Sequence, residues 1–325
     1  MTVRFYSSLD TGAPALSGSR IIDRVKQILL ACLVNGYGSK PAAGWAVGHE
    51  HADGFSLGNG EGFVNLVSLG NSSYAAYIME AITDGSTALA GGVNRRSGPW
   101  YDGSTENRRQ VFYSANFTAG ANPHWAVVAD DKTCILQLGY GTSTADGSGS
   151  CFAQVFGRYL NAAGLGGFCS LGGVASSSSS GTGSLIGFSG AVLRNPFTGL
   201  ADQGTGPLYA CLGAAYQSGA GTSRSPLQPD RLVPIRAGLL GYGAGISGGA
   251  SSAAAVFCGQ LRGILSEPVL SGAPASQVLP LLGSSNTWQA RVTVVTLANG
   301  KQLMPLFPST LDQGFFVSLD AADWE

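Results

Sequence analysis

His49, His51 and Asp53 fall within five positions of one stretch, "WAVGHEHADGF" from Trp45 to Phe55. Their types and spacing reproduce the opening of H-x-H-x-D-H, a motif that holds zinc in metallo-hydrolases. Such chemistry needs three or four well-placed N, O or S ligands and a bound water. Position 54 is Gly rather than the closing His, and the chain holds only 3 His, the third being His124. The run is therefore read as a polar surface loop, and no metal-ligating residue is assigned.

Serine chemistry fares no better. G-x-S-x-G occurs at Gly54 to Gly58 ("GFSLG") and at Gly245 to Gly249 ("GISGG"). With 49 glycines in 325 residues, on the order of one such match arises by chance. A nucleophile elbow also needs a His later in the chain, and none follows Gly245. Asp130 and Asp131 are explained as a hairpin tip, where Asp favours the turn. No phosphate-binding G-x-x-x-x-G-K-S/T loop and no strand–G-x-G-x-x-G–helix unit occurs. The chain is read as a non-enzyme, with no catalytic, cofactor-binding or metal residue and no cofactor.

The elements that would position any site are mostly strands. "VRFYSS" (Val3 to Ser8) alternates as a short strand. One helix follows, in "SRIIDRVKQILLACLVNGYG". Ile21, Ile22, Val25, Ile28, Leu29, Cys32 and Leu33 form its apolar face, and Arg20, Asp23, Arg24, Lys26 and Gln27 the polar one. Ser19 is the expected N-cap and Gly36 the left-handed C-cap. Beyond residue 60, short β segments alternate with turn residues. In "HWAVVADDKTCILQLGYG", Asp131 and Lys132 mark a hairpin tip, and Asn299-Gly300 marks another. The expected fold is mainly β (α+β): antiparallel sheets with one amphipathic N-terminal helix and a C-terminal β-sandwich-like region. The Ser/Gly tract "VASSSSSGTGS" suggests a division into an N-terminal helix-plus-sheet domain (1–175), a connector (176–184) and a C-terminal β domain (185–325). Trp324, near the end, is expected to dock on that second domain.

Composition narrows the partners. Only 11% of residues are charged, against roughly a quarter in an average domain. Such a surface suits either a turn-rich β protein or one covered by neighbouring subunits. A net charge of −1 without any basic run argues against nucleic acid as a partner. No signal peptide and no span of eighteen apolar residues is read, so neither export nor membrane insertion is expected. The six cysteines are scattered without a C-x-x-C pair and are read chiefly as small buried hydrophobes in a reducing compartment.

"MTVRFYSSLDTGAPALSG" and "ILLACLVNGYGSKPAAGW" together resemble the start of a family of tailed-bacteriophage virion proteins. That family typically carries "FYSS-D-GAP-L-G", a short helix and "LLDACLVNGYGSK-AAGW". Further on, "YIMEAITDGSTA" resembles its strand and "TD" turn, and "HWAVVADDKTCILQL" its "W-hydrophobic-GD-R-TFYL" hairpin. "QLRGILSEPVL" is similar to its "LRGRLPG" segment, and "FFVSLDAADW" to its C-terminal "D-SDTW". The chain departs from the pattern after "AAGW", where "AVGHEHADG" replaces a polar loop, and in its Ser tract. The resemblance implies a structural virion component of the tail or baseplate, made in the host bacterial cytoplasm. It would act by assembly with other virion proteins and as a homo-oligomer, and no catalytic residue carries over. Two alternatives stand beside it: a head decoration protein, or a receptor- or carbohydrate-binding virion module that contacts a host-surface glycan. Trp100 and Tyr101 in "GPWYDGS" are the candidate sugar-stacking residues, an aromatic anchor for the loop being the plainer reading.

Overall fold

The computed structural model describes residues 1–97, 109–113, 117, 122–140, 151–161, 167–172, 174–176, 189–201, 208–212, 235–242, 255–266, 280, 283, 287–306 and 315–325. The fold is mainly β, with every strand pairing among these residues antiparallel. In chain order the first strands are β1 (Arg4–Ser7), β2 (Ala46–His51), β3 (Gly54–Gly58), β4 (Phe63–Ser68), β5 (Ser73–Met79), β6 (Ala81–Asp84) and β7 (Gly91–Val93). Next come β8 (Arg109–Tyr113), β9 (His124–Ala129), β10 (Thr133–Gly139), β11 (Cys151–Asn161), β12 (Gly167–Gly172), β13 (Val174–Ser176) and β14 (Ser189–Val192). The last are β15 (Leu208–Leu212), β16 (Ile235–Tyr242), β17 (Ala255–Ser266), β18 (Val295–Thr296), β19 (Gln302–Leu306) and β20 (Phe315–Ser318).

Twelve strands form one sheet in the order β1-β9-β10-β11-β12-β14-β15-β16-β17-β20-β19-β18. A second contact, β11 against β17 through Leu160 with Gln260 and Asn161 with Gly259, curls the sheet back on itself. Strands β11, β12, β14, β15, β16 and β17 thereby close a hydrogen-bonded ring. The ladder runs without a break across strands on both sides of the expected 176–184 connector, whose residues 177–184 lie outside the described ones. A six-stranded sheet, β13-β8-β5-β4-β3-β2, packs over one face, and β6 and β7 form a separate ribbon.

Alternation along β9 to β11 explains why these strands read as almost unbroken apolar runs. Trp125, Val127, Ala129, Cys134, Leu136, Leu138, Phe152 and Phe156 face the core shared with the six-stranded sheet. Ala126, Val128, Ile135, Ala153, Val155 and Tyr159 face a second core, filled from the other side by Leu261, Ile264, Met304, Phe315, Val317 and Trp324. A strand buried on both faces keeps no solvent side, so its polar positions must find partners inside. Most do: Tyr74 Oη donates to Gln154 Oε1 at 2.9 Å, and Gln110 links Gly172 O (2.8 Å) with the Ser170 hydroxyl (2.8 Å), while Gln154 Nε2 is buried without a hydrogen-bond partner.

The helix α1 (Ile21–Leu29) lies where the apolar period put it, and its predicted face is buried. Three details differ from the expectation. Arg20, not Ser19, is the N-cap, its N–H donating to Asp23 Oδ2 at 3.2 Å. Arg24, placed on the polar face by periodicity, is buried, with its guanidinium 5.2 Å from the Phe117 ring centre and 5.8 Å from that of Tyr140. From Leu30 to Asn35 the helix widens into a π-helix, and Gly36 ends it at φ 74°, ψ 170°, outside the left-handed helical well. The exit is set by "AAGW" instead. Ala43 N–H donates to Cys32 O, and Gly44 and Trp45 N–H both donate to Leu33 O, at 3.0 Å each, satisfying carbonyls the helix end would leave open.

The two hairpin tips stand as expected. Asp130 Oδ1 accepts from Lys132 N (2.9 Å) and Thr133 N (2.7 Å), an Asx turn between β9 and β10. At the other, Leu297 N–H donates to Lys301 O, and Gly300 sits at φ 82° in a three-residue tip, the position that favours glycine.

Candidate functional site

The "HEHAD" run is a hairpin and not a loop, which corrects the expectation. Weak strand formers are recruited because Ala46 to His51 pairs along β3, with a register break between Val47 and His49 and a two-residue turn at Ala52-Asp53. Each of its ionisable side chains has a partner within the chain. His49 Nε2 lies 3.1 Å from Thr87 O, which can only accept, so Nε2 carries the proton and Nδ1 accepts from the Ser56 hydroxyl at 2.9 Å. His51 Nδ1 accepts from Asp53 N–H (3.0 Å), and Glu50 pairs with Lys26 at 3.1 Å. Arg20 spans Asp53 and Ala52 O, clamping the turn to the start of α1. Neither imidazole offers a convergent lone pair, and among the described residues no three His, Cys, Asp or Glu side chains are grouped for a metal. Zinc added to the protein is expected to leave its thermal midpoint unchanged; a zinc-dependent rise, the mark of binding to the folded state, would contradict this.

Ser56 of "GFSLG" lies inside β3, fully buried, rather than at a strand-to-helix elbow. The "GISGG" match, Trp100 and Tyr101 lie outside the described residues. His124 opens β9, and its half-burial holds its pKa below the usual value.

Two polar clusters organise the chain, each built from segments far apart in sequence. The first surrounds Asp10. Its Oδ2 accepts from Ser7 N (2.7 Å), Tyr37 Oη (2.7 Å) and Lys40 Nζ (2.6 Å), and Lys40 also donates to Phe5 O at 2.8 Å. Burial, then the bond to Asp10, pushes the Tyr37 phenol well above its usual pKa. Tyr6 Oη donates to Pro41 O (2.6 Å), and a Cβ on Gly38, at φ 55°, would stand 2.9 Å from Thr11 O. "FYSSLDTGAP" and "NGYGSKPAAGW" are thus two halves of one lock. Asp10→Ala would remove the shared acceptor of Ser7 N, Tyr37 Oη and Lys40 Nζ, and a loss of about 1.5–3 kcal/mol by denaturant unfolding is expected, about the worth of one hydrogen bond to a charged group, since Lys40 keeps Phe5 O and Ser7 N keeps Tyr37 Oη.

The second cluster is deeper. Asp130 (0% exposed) and Arg262 (3%) pair at 2.6 Å, and Arg262 also reaches Thr133 Oγ1 at 2.6 Å and Trp324 O. Trp45 Nε1 donates to Asp130 O at 2.9 Å, so the first lock touches the second. Sequence reasoning gave Asp130 only a turn role and passed over Arg262. A lone Arg in the apolar run "VFCGQLRGIL" was the available signal, because a buried charge demands a partner.

On the surface, a cleft of about 380 Å³ opens where the two sheets meet. Glu61 comes from the β3–β4 turn, Glu80 from the end of β5, Arg158 from β11, Phe168 from β12, and Leu193 and Arg194 from just after β14. Arg158 Nη1 pairs with Glu61 at 3.1 Å, while Arg194 holds Glu80 through two bonds, at 2.7 and 2.9 Å. Asn94 adds a third donor to Glu80 at 2.9 Å. Beside the cleft, Asn195 nucleates a tight turn, accepting on Oδ1 from Phe197 N (2.9 Å) and Thr198 N (3.1 Å). That turn presents Phe197 (48% exposed) and Leu200 (68%) to solvent, and Arg194 braces it through Gly199 O at 3.0 Å. Lys132 Nζ also approaches Glu61 at 3.7 Å, and the apolar lining residues Phe168 and Leu193 are each only 3% exposed. Comparison with protein-family models and with curated proteins finds no match to this chain.

Proposed function

We propose that the chain is a structural subunit of a tailed-bacteriophage virion, in its tail or baseplate, acting by assembly with copies of itself and with other virion proteins. The observation that carries this reading is where the resembling segments fall. "FYSSLDTGAP" and "NGYGSKPAAGW" make the Asp10 lock, and "HWAVVADDKTCILQL", "QLRGIL" and "FFVSLDAADW" contribute Asp130, Arg262 and Trp324 to the buried one. Within this chain the resembling segments thus bond to one another across long sequence separations, as a fold shared with that family would require.

The surface suits assembly. With 11% charged residues there is little to keep copies apart. Among the described residues, β2 at the rim of one sheet and β18 at the rim of the other are hydrogen-bonded along one side only. Val47 on β2 (40% exposed), Phe197 and Leu200 add apolar contacts. Free edges invite strand addition from a neighbour, and cyclic assembly in a tail would repeat one contact around an axis. Light scattering coupled to size exclusion is expected to return a defined oligomer; a monomer at every concentration tested would count against the reading.

A further inference from the structure

We infer that the open side of β2 is a dimer contact, where β2 of a second copy adds antiparallel about a two-fold axis and joins the two six-stranded sheets. The inference rests on the assembly reading and names a contact through which it would act. Among the described residues β2 has six residues with one open side, against four in β6, three in β13 and two in β18. The edge of β1 is closed by side chains instead. Asp10 Oδ2 accepts from Ser7 N–H at 2.7 Å and Lys40 donates to Phe5 O at 2.8 Å, in the places a neighbouring strand would take. On β2, by contrast, Ala46, Val47, Gly48 and Glu50 are all exposed. His51 pairs with Gly54 across a two-residue turn, which makes them a hydrogen-bonded pair. The next pair of an antiparallel ladder is then not hydrogen-bonded, so Glu50 turns its N–H and C=O away from β3. Neither group takes a bond from another described residue.

Edge number and charge both favour a second copy as the occupant. Head-to-tail addition would need a second long open edge on each chain, whereas β2 against β2 satisfies both copies at once and stops at two. Leu57 and Phe55, the register partners of Val47 and Glu50, both face the first core, so Val47 and Glu50 share one face of the sheet. With the two strands fully overlapped, Glu50 of each copy lies opposite the Val47–Gly48 step of the other. The two carboxylates are then roughly 10 Å apart along the strand, three residues at about 3.3 Å each. A parallel addition would set them side by side, which is destabilising. Within its own chain Glu50 is drawn towards α1 by Lys26 at 3.1 Å. The register break between Val47 and His49 shortens the straight run, so the expected dimer is one that dissociates on dilution.

The test is analytical ultracentrifugation of the full chain across a concentration series, where a monomer–dimer equilibrium is expected. Val47→Lys sets an ammonium opposite each Glu50 and is expected to tighten the dimer. Val47→Glu sets a carboxylate there and is expected to loosen it. Each shift is expected to be about tenfold, from two symmetric cross-strand pairs at about threefold apiece. Glu50→Pro removes the outward N–H without touching the β3 ladder and is expected to leave a monomer. Glu50→Ala loses the ion pair with Lys26 but keeps the N–H, and is expected to dimerise still. Each variant is first checked for an unchanged circular dichroism spectrum. Should Glu50→Pro fail to fold, the opposed charges at position 47 read the same contact. An oligomer that Val47→Lys, Val47→Glu and Glu50→Pro all leave unaltered would overturn the inference while leaving assembly through another surface standing. A parent chain that stays monomeric throughout would overturn both.

Discussion

Asp130→Ala is expected to lower the unfolding free energy by about 3–5 kcal/mol, the cost of leaving a buried charge without its partner. The magnitude follows from burial. Asp130 and Arg262 are almost wholly removed from solvent, so the guanidinium left behind can neither reach water nor find another carboxylate. The same change frees Lys132 N and Thr133 N at the β9–β10 tip, where Asp130 Oδ1 holds them at 2.9 and 2.7 Å. Strand β17 would thus lose its tie to the hairpin as the hairpin loosens. Replacing both partners, as in Asp130→Asn with Arg262→Met, removes the charges together and is expected to recover part of the loss, because the desolvation cost disappears with the attraction. Guanidinium chloride unfolding of the two single variants and the double one reads this directly. A single variant within about 0.5 kcal/mol of the parent, the range of an ordinary surface substitution, would show that the pair does not anchor the fold.

Trp324→Ala is the second large expectation, at about 3–5 kcal/mol for truncating a fully buried aromatic. The side chain fills the second core among Leu261, Ile264, Phe315 and Val317, and its Nε1 donates to Ser318 O at 2.8 Å. Its ring lies over Gly263 so closely that a Cβ there would stand 2.2 Å from Cε2. Asp320 starts the short turn that delivers the ring, accepting from Ala322 N at 3.1 Å, and Lys301 pairs with Asp323 at 2.7 Å. Gly263→Ala should therefore cost more in the parent than in Trp324→Ala, where the ring is gone and only the strain of φ 69° remains. Equal costs in the two backgrounds would show that the ring and the glycine are independent.

Much of the fold was legible because its signals are local. The helix face from Ile21 to Leu33 follows from spacing alone, and the tips at Asp131-Lys132 and Asn299-Gly300 follow from turn chemistry. Illegible features were those that depend on distant pairing. Strand β2 has poor propensity and forms because β3 and the 84–90 segment receive it: His49 bonds Ser56 and Thr87, and Gly85 packs against its ring. Arg24 looked solvated by period but finds Phe117 and Tyr140, nearly a hundred residues or more away in the chain. The cleft lined by Glu80 and Arg194 had no sequence signal at all, since the two are 114 positions apart and each looks like an ordinary surface charge. The candidate metal run was misleading for the opposite reason. Its residues sit close in sequence, yet the strand sends His49 into the interior and leaves His51 to the turn.

Incorporation of this chain into a tail or baseplate, as proposed, is put to the test by a cryo-EM reconstruction of the purified virion. The proposed role predicts repeated density into which the curled sheet and its six-stranded cover fit, at the tail or baseplate, with neighbouring copies in contact. Density for the chain on the capsid would keep it in the virion but overturn its place in the tail. Absence of the chain from purified particles, by reconstruction and by mass spectrometry, would contradict the claim outright.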